Sequence, residues 1–260
     1  MKNLNKTNRF LNIEIHGNTV ILYINYCLLL ENKTYEYRDE IIEYFHKLNN
    51  DDAVKVVVIS NDHKFYSLGN FRQMWDTLSK SKDCEDSLLR IFRIYNQLFL
   101  QIKSLNKVII SMNSKSFNPM LFNFSMSADI KIISNDFHVD NNNINMMNIP
   151  KGGCIYSESF NNSYINPVKL MFLKEKVFST ELMECKIIDQ VFHSEDLKNK
   201  TLAIAKRLEN IDYSEIEAVK ALFPRKLRKL ELVLQSENEF LMSCIRKRRN
   251  QNTQEIHRFH

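Results

Sequence analysis

The sequence predicts an α/β fold in which strands of a sheet are joined by crossover helices. The β-branched run VKVVVIS, residues 54–60, is typical of a strand that is covered on both faces. Amphipathic segments with helical spacing alternate with such runs along the chain. Because strands that alternate with helices favour crossover connections, we expect an α/β architecture.

A hairpin and a helix come first. The segments FLNIEIHG and NTVILYINY resemble two strands that meet at Gly17 and Asn18, a pair of residues typical of a hairpin turn. An amphipathic pattern at residues 34–48 predicts a helix with Thr34 as its N-cap. The buried strand VKVVVIS then leads through Gly69 into another helix, and chemistry often lies at such a junction.

The later part of the chain changes from mixed to helical. The pattern predicts a long helix, a strand, an apolar segment and a further strand, at residues 87–102, 107–112, 119–126 and 128–134. From Leu197 onward it is mostly helical and ends in a long helix at residues 226–249. We therefore divide the chain into a core, residues 1–195, and a helical C-terminal region, residues 196–260, for packing or oligomerisation.

Composition narrows the class of protein. The 260 residues are 44% apolar and 26% charged, which is ordinary for a soluble domain with a sizeable core. The longest apolar run, residues 20–30, is interrupted by Asn25 and is shorter than the roughly 20 residues that span a bilayer. The N-terminus lacks the apolar stretch of a signal peptide. The five cysteines are scattered without CxxC spacing, so we expect a cytoplasmic protein with reduced thiols and no zinc site.

The net charge of +5 is concentrated near the C-terminus, at residues 225–229 and 246–249. These basic runs indicate a solvated helix face; the alternative is a surface for an anionic ligand or an acidic partner. Nucleic acid is disfavoured, because no aromatic interleaving and no known binding motif accompanies the charge. We also expect no membrane partner.

The stretch FYSLGNFRQM, residues 65–74, resembles the F-S-A-G-x-D-L-x-x-M turn of the crotonase, or enoyl-CoA hydratase/isomerase, superfamily. Later segments are similar to this family in order and spacing: KVIISMN to its P-V-I-A-A-V-N strand, SADIKIIS to its C-D-I-x-I-A strand, and ECKIIDQVF to its A-x-x-A-G-L-V-x-x-V segment. The resemblance covers roughly residues 11–250. It implies a crotonase-like spiral of ββα units with a helical C-terminal trimerisation region, assembled as a homotrimer or hexamer.

The resemblance also implies the chemistry. Such proteins act on acyl thioesters of coenzyme A or of carrier-protein phosphopantetheine, and two backbone N–H groups stabilise the thioester enolate. On this sequence the first donor is Leu68, and Gly69 lets the backbone turn so that this N–H faces the thioester oxygen. The alternative is that Gly69 serves a strand-to-helix turn alone. The second donor falls on Met120, after Pro119, where the family has a glycine-rich helix start.

The two glutamates that deliver and remove protons in the family's hydratases correspond here to Asn123 and Asn143. Asparagine does not titrate near neutral pH and cannot act as a general acid or base. We therefore expect decarboxylation or double-bond isomerisation rather than hydration. The spacing is similar to that of the polyketide β-branching decarboxylases, with Asn142 on their asparagine, although their last-helix histidine corresponds to Ser236.

Side chains near these positions are further candidates. The predicted contacts to the coenzyme A or phosphopantetheine carrier are Lys64, Tyr66 and Gly69, and no tightly bound cofactor is expected. Lys64 could pair with a phosphate or be an ordinary loop lysine, and Tyr66 could protonate an enolate or be a buried aromatic. His138 is a proton donor or a packed strand histidine, and Asp140 positions a donor or caps a loop.

Two functions of different classes follow. The first is an acyl-thioester enzyme that stabilises an enolate with little acid–base help. The retained SLGN and IPKGG turns favour this function. The second is a non-catalytic paralogue that supports an active partner. The replaced glycines and lost glutamates favour the second function, as does the apolar segment PMLFNFSM, whose Met120, Phe122 and Phe124 would fill the volume of an acyl chain.

Overall fold

A hairpin and a short 3-10 helix open the fold in the computed structural model, which describes residues 8–31, 34–61, 67–141, 151–152, 174–222 and 227–258. Strands β1 (Leu11–His16) and β2 (Thr19–Ile24) pair antiparallel, as predicted. Gly17 has a φ of 60° in the turn between them, a conformation that glycine adopts without strain. The 3-10 helix Tyr26–Leu30 is buried throughout.

The central sheet has six strands in the order β1-β2-β3-β4-β6-β9. After the hairpin all neighbours are parallel, which confirms the predicted crossover connections. The four later strands are β3 (Val56–Asn61), β4 (Val108–Asn113), β6 (Ile130–Ser134) and β9 (Gln190–Phe192). Every residue of β3 is buried, as its β-branched run predicts.

Helices connect these strands where the periodicity places them. They are α1 (Thr34–Asn49), α2 (Leu68–Ser79), α3 (Cys84–Ser104) and α4 (Pro119–Ser125). A second sheet of three short strands was not predicted; it has the order β5 (Ser116–Phe117), β7 (His138–Asp140), β8 (Lys176–Phe178). It lies beside α4, because β5 leads directly into that helix.

The C-terminal part is helical, as expected. Its helices are α5 (Ser179–Glu184), α6 (Leu197–Glu209), α7 (Tyr213–Leu222) and α8 (Leu227–Arg258). Helix α6 covers one face of the sheet, where Ala205 packs with Val58 and Ile110. The first half of α8 belongs to the main core on the other face, because Leu234 and Leu241 are buried in the same cluster as α3. Among the described helices, none has the length and apolarity needed to cross a membrane.

Candidate active site

Helix α2 begins at the SLGN motif. Ser67 is extended, with φ −133° and ψ 148°, and its side chain accepts a hydrogen bond of 3.1 Å from the Asn70 N–H. Leu68 is the first helical residue, so its N–H has no acceptor within the helix. The predicted first donor is therefore an N–H at the positive end of a helix.

Gly69 does not make the turn. It lies inside α2, it has no positive φ, and it is exposed. Among the described residues, a Cβ added to Gly69 would contact the Ser67 hydroxyl alone, at 3.9 Å. The change from extended to helical backbone occurs between Ser67 and Leu68, so the described backbone at this helix start requires no special conformation of Gly69.

Helix α4 begins with the same kind of cap. The side chain of Asn118 accepts a hydrogen bond of 2.9 Å from the Leu121 N–H, and Pro119 occupies the first helical position. Met120 comes second, so its N–H also lacks an acceptor within the helix. The Met120 carbonyl accepts a hydrogen bond of 2.8 Å from the Tyr95 hydroxyl of α3. The residue predicted as the second donor thus lies at a helix N-terminus, and a buried tyrosine fixes its carbonyl group by a hydrogen bond.

Helix α2 and the start of helix α4 are both connected to the end of strand β7. Arg72, one turn along α2 from Leu68, forms an ion pair of 3.1 Å with Asp140 at the end of β7. In the parallel pairing of β5 with β7, Phe117 is the partner of Val139. The residue that follows β5 is Asn118, the cap of α4, and the residue that follows Val139 on β7 is Asp140. One strand end therefore connects the two elements that carry the predicted donors.

Asn123 lies three residues after Met120 on α4, where residues share a helix face. It is 2% exposed, and its Nδ2 has no hydrogen-bond partner among the described residues. A buried donor without a partner is costly and is available to a ligand. Asn123 can donate a hydrogen bond here, but it cannot transfer a proton as a carboxylic acid does.

A buried ion pair lies next to α4. Lys151 is fully buried; its ammonium donates to the Asn96 side chain and lies 3.4 Å from a carboxylate oxygen of Glu237 on α8. Burial lowers the pKa of Lys151 to about 8, and the Glu237 carboxylate opposes this shift. The Gly152 N–H donates to the same carboxylate at 2.9 Å. In the sequence, Lys151 belongs to the predicted IPKGG turn. No sequence pattern indicates its contact with Glu237, which lies 86 residues later.

The other predicted residues are distributed as follows. Lys64, Tyr66, Asn142 and Asn143 lie outside the described residues. His138 packs its ring against that of Phe178, with centroids 5.8 Å apart, as a packed strand histidine would. Asp140 forms the ion pair with Arg72, a role that was not predicted. Ser236 is exposed, and its hydroxyl donates back to the Leu232 carbonyl in α8.

A groove of about 610 Å³ opens between α3 and α8. Asn96 and Asn238 line it, and Leu68, Met120 and Asn123 do not. The groove is therefore separate from the two helix N-termini, with Asn96 shared between it and the buried lysine. In the described part of the chain, no group of three or more His, Cys, Asp or Glu side chains is arranged to hold a metal ion, and no disulfide joins the cysteines.

Comparisons with known proteins identify the family of this chain. A family model described as enoyl-CoA hydratase/isomerase matches residues 33–259. A search of curated proteins gives no match. These results make the family model the sequence-level evidence for kinship.

Solved structures provide the corresponding evidence for the fold. The chain is similar to an enoyl-CoA hydratase from Bacillus halodurans, with TM-score 0.74 and 17% identity, covering 91% of this chain and 95% of that one. It is similar to an enoyl-CoA hydratase from Mycobacterium avium subsp. paratuberculosis K-10, with TM-score 0.67, 16% identity, and coverage of 90% and 89%. It is also similar to DspI from Pseudomonas aeruginosa, with TM-score 0.60, 16% identity, and coverage of 83% of this chain and 86% of that one. The predicted fold and the resemblance are confirmed.

Proposed function

The chain belongs to the enoyl-CoA hydratase/isomerase family, and from this membership we propose that it binds acyl thioesters and stabilises their enolates with the N–H groups of Leu68 and Met120. The thioester is carried by coenzyme A or by the phosphopantetheine of an acyl carrier protein. The reaction is decarboxylation or double-bond isomerisation rather than hydration, in a pathway such as polyketide synthesis.

The observation that supports this proposal most strongly is the pair of capped helix N-termini in α2 and α4, two helices that are both connected to the end of β7. Each presents an N–H without an acceptor in its own helix, at the positive end of the helix dipole. Such donors are fixed before the reaction, so they stabilise the charge that develops on a thioester oxygen without reorganising. The buried, unpartnered Nδ2 of Asn123 adds a third donor on the same element as Met120.

The preference for decarboxylation or isomerisation over hydration follows from the side chains near the proposed donors. Asn123 occupies a position where the family's hydratases have a proton-transferring glutamate, and an amide cannot replace it. Two carboxylates of the described residues near α2 and α4 are already paired: Asp140 with Arg72, and Glu237 with Lys151 and the Gly152 N–H. Loss of carbon dioxide needs no base, because the breaking carbon–carbon bond leaves its electron pair on the enolate.

The test is a titration followed by turnover assays. The purified protein is titrated with acetyl-CoA and with a phosphopantetheinylated carrier protein, and is then given glutaconyl and crotonyl thioesters. We expect glutaconyl thioester to release carbon dioxide and yield a butenoyl thioester after protonation from water. Formation of the 3-hydroxy product from crotonyl thioester would contradict the proposed chemistry.

A matched pair of variants assigns the reaction to the site. Asn123→Ala removes the buried donor on α4, and we expect weaker thioester binding and slower turnover. Asn210→Ala, at the exposed C-cap of α6, makes the same chemical change outside α2, α4 and β7 and should leave both unchanged. Equal losses in the two variants would contradict the assignment.

A second candidate function is a non-catalytic paralogue that serves as a scaffold or partner subunit. It is supported by the side chains of α4, where Met120, Phe122 and Phe124 are each less than 5% exposed. Phe124 packs edge-on against Tyr95 and Phe99, and this cluster fills space where the family has glycines. Acetyl-CoA binding without turnover of any thioester would favour this function.

The assembly proposed from the family is a homotrimer or hexamer. Several large apolar side chains are exposed along the described surface, including Leu232 and Phe240 on α8. Light scattering of the full chain tests this assembly, since a trimer or hexamer has three or six times the 30.9 kDa of one chain. A monomeric mass at working concentration would contradict it.

A further inference from the structure

The most unusual electrostatic feature of the described chain is a lysine–glutamate pair without access to solvent. The side chains of Lys151 and Glu237 are 0% and 5% exposed. Moving two charges out of water costs several kcal/mol per ion, and a buried pair is a weak source of stability. The ammonium also contacts the Asn96 side chain and lies 5.1 Å from the centre of the Tyr95 ring. These contacts fix the ammonium in one place.

Residues 151 and 152, which the pair anchors to α8, contact Tyr95 of α3 and lie against Asn123 of α4. A Cβ built on Gly152 would lie 2.4 Å from the Tyr95 hydroxyl and 2.9 Å from the Asn123 Cβ, so the Gly152 backbone is packed closely against both side chains. The Tyr95 hydroxyl is 2.8 Å from the Met120 carbonyl and 3.4 Å from the Lys151 carbonyl. Tyr95 therefore connects the anchored segment to the Met120 end of α4.

We propose that the Lys151–Glu237 pair is a positioning device for the thioester site: it anchors residues 151 and 152 to α8, and this segment fixes the Met120 peptide through Tyr95 and the Asn123 side chain through Gly152. The inference rests on the proposed function for the meaning of that geometry. It adds that the last helix, through Glu237, is part of the site.

Lys151 acts here through its neighbours and not on the substrate. Its ammonium faces Asn96 of α3 and Glu237 of α8, whereas the Met120 N–H is at the start of α4. Directional hydrogen bonds from a fully satisfied buried network restrict geometry more than apolar packing of equal volume does. A network of this kind is suited to holding a backbone donor in place, which is what an oxyanion site requires.

The test observes the Met120 peptide directly. Proline precedes methionine once in the sequence, at Pro119–Met120, so protein labelled with carbonyl-¹³C proline and ¹⁵N methionine gives one correlated amide signal. Tyr95→Phe, which removes the contact to the Met120 carbonyl, calibrates the size of the response. We expect Glu237→Gln to move the same signal, although Glu237 does not contact Met120.

A matched control and a binding measurement complete the design. Glu239→Gln makes the same change two residues along α8 at an exposed position, and its signal should coincide with that of the unaltered protein. We expect Glu237→Gln and Tyr95→Phe to weaken acetyl-CoA binding about tenfold, a loss of one directed contact. In the double variant the two effects should be less than additive, because both act on one network.

The pH dependence of the unaltered protein provides a test without mutation. Among the described residues, two side chains that can ionise face the Lys151 ammonium: the Glu237 carboxylate of α8 and the Tyr95 phenol of α3. Because burial holds the pKa of Lys151 at about 8, we expect the Met120 signal to shift with a midpoint near this pH. The shift should vanish in Lys151→Met, or, if that variant does not fold, in Lys151→Met/Glu237→Leu, which removes both charges.

The sign of the stability effect follows from the same pKa. The ordinary pKa of lysine is 10.5, so between pH 8 and this value the unfolded chain binds more protons than the folded one. The contribution of Lys151 therefore raises the free energy of unfolding as the pH rises through this range, and it is absent in the variants without Lys151.

Two outcomes overturn different claims. A Met120 signal that stays fixed in folded Glu237→Gln, and that does not titrate near pH 8, overturns the positioning role of the pair. A Met120 signal that titrates but does not respond to saturating acetyl-CoA overturns the proposed oxyanion function, and leaves the structural coupling in place. The two failures are therefore distinguishable in one set of spectra.

Discussion

Helices α2 and α4 begin with equivalent caps in different surroundings. Ser67 caps α2 with a hydrogen bond of 3.1 Å, and Asn118 caps α4 with one of 2.9 Å. At the start of α2, Leu68 is half-buried and the next two residues are exposed. In α4, every residue from Met120 to Ser125 is buried, and the Tyr95 hydroxyl donates a hydrogen bond to the Met120 carbonyl in the first turn.

The difference shows that capping alone does not make two N–H groups equivalent. A donor in a buried, low-dielectric environment interacts more strongly with a charge than one near solvent does, because less of the field is screened. The N–H of Met120 is in the first situation, and that of Leu68 is closer to the second. We therefore regard α4 as the fixed half of the site and α2 as the half whose position depends on its cap and on the Arg72–Asp140 pair.

The largest expected effect is that of Gly152→Ala, which disturbs the fixed half. Gly152 has a φ of 112°, and its new Cβ would lie 2.4 Å from the Tyr95 hydroxyl and 2.9 Å from the Asn123 Cβ. Strained backbone and overpacking together should lower the free energy of unfolding by roughly 3 kcal/mol. Urea denaturation measures the loss, and titration with acetyl-CoA should show binding abolished in the protein that remains folded. A variant of unchanged stability would show that the segment has room to move.

The next effect compares the two caps directly. Asn118→Ala should lower the free energy of unfolding by about 1–2 kcal/mol, because it leaves a buried N–H without its acceptor. Ser67→Ala should cost about 0.5–1 kcal/mol, since water can replace the serine at an exposed helix start. Urea denaturation of both variants tests the order. A larger loss from Ser67→Ala would reverse the assignment of fixed and adjustable halves.

The fold was more predictable from the sequence than the site was. The hairpin, β3, α3 and α4 follow from apolar periodicity and turn residues, which act locally and are visible in a single sequence. The sheet of β5, β7 and β8 was missed, because strands of two or three residues are too short to show alternation. Within the described residues, Leu68 and Met120 lie in the first turns of α2 and α4, with Asn123 one turn after Met120.

The side chains that support those positions could not be predicted. Lys151 meets Glu237, and Arg72 meets Asp140, across distances in sequence that no local pattern encodes. Gly69 shows the converse: a glycine in a family-like motif suggested a special turn, whereas the backbone at Gly69 itself is that of an ordinary helix start. Motif residues supplied the candidate positions, whereas the contacts around those positions could be identified only from the fold.

A smaller effect is expected from Arg72→Met, which frees the adjustable half. The Arg72–Asp140 pair has one partner that is 38% exposed and one that is 8% exposed, so its loss should cost about 1 kcal/mol of unfolding free energy. Because this pair ties α2 to β7, acetyl-CoA affinity should fall as well. Lys47→Met, which breaks an exposed pair with Glu43 on α1, is the control and should leave affinity unchanged. Unchanged affinity in Arg72→Met would show that α2 is held by other contacts.

The smallest effect, and the sharpest contrast with Gly152, is expected from Gly69→Ala. Gly69 is the exposed second residue of α2, and a Cβ added there would lie 3.9 Å from the Ser67 hydroxyl, so an alanine meets no steric conflict among the described residues. Alanine restricts the unfolded chain and favours a helix, which should raise the free energy of unfolding by about 0.4–1 kcal/mol, as urea denaturation would measure. Acetyl-CoA affinity should be retained, because the Leu68 N–H keeps its place at the helix start. Loss of binding without loss of stability would mean that a thioester approaches the backbone at Gly69 too closely for a methyl group, and the two helix N-termini would then differ in steric access rather than in rigidity.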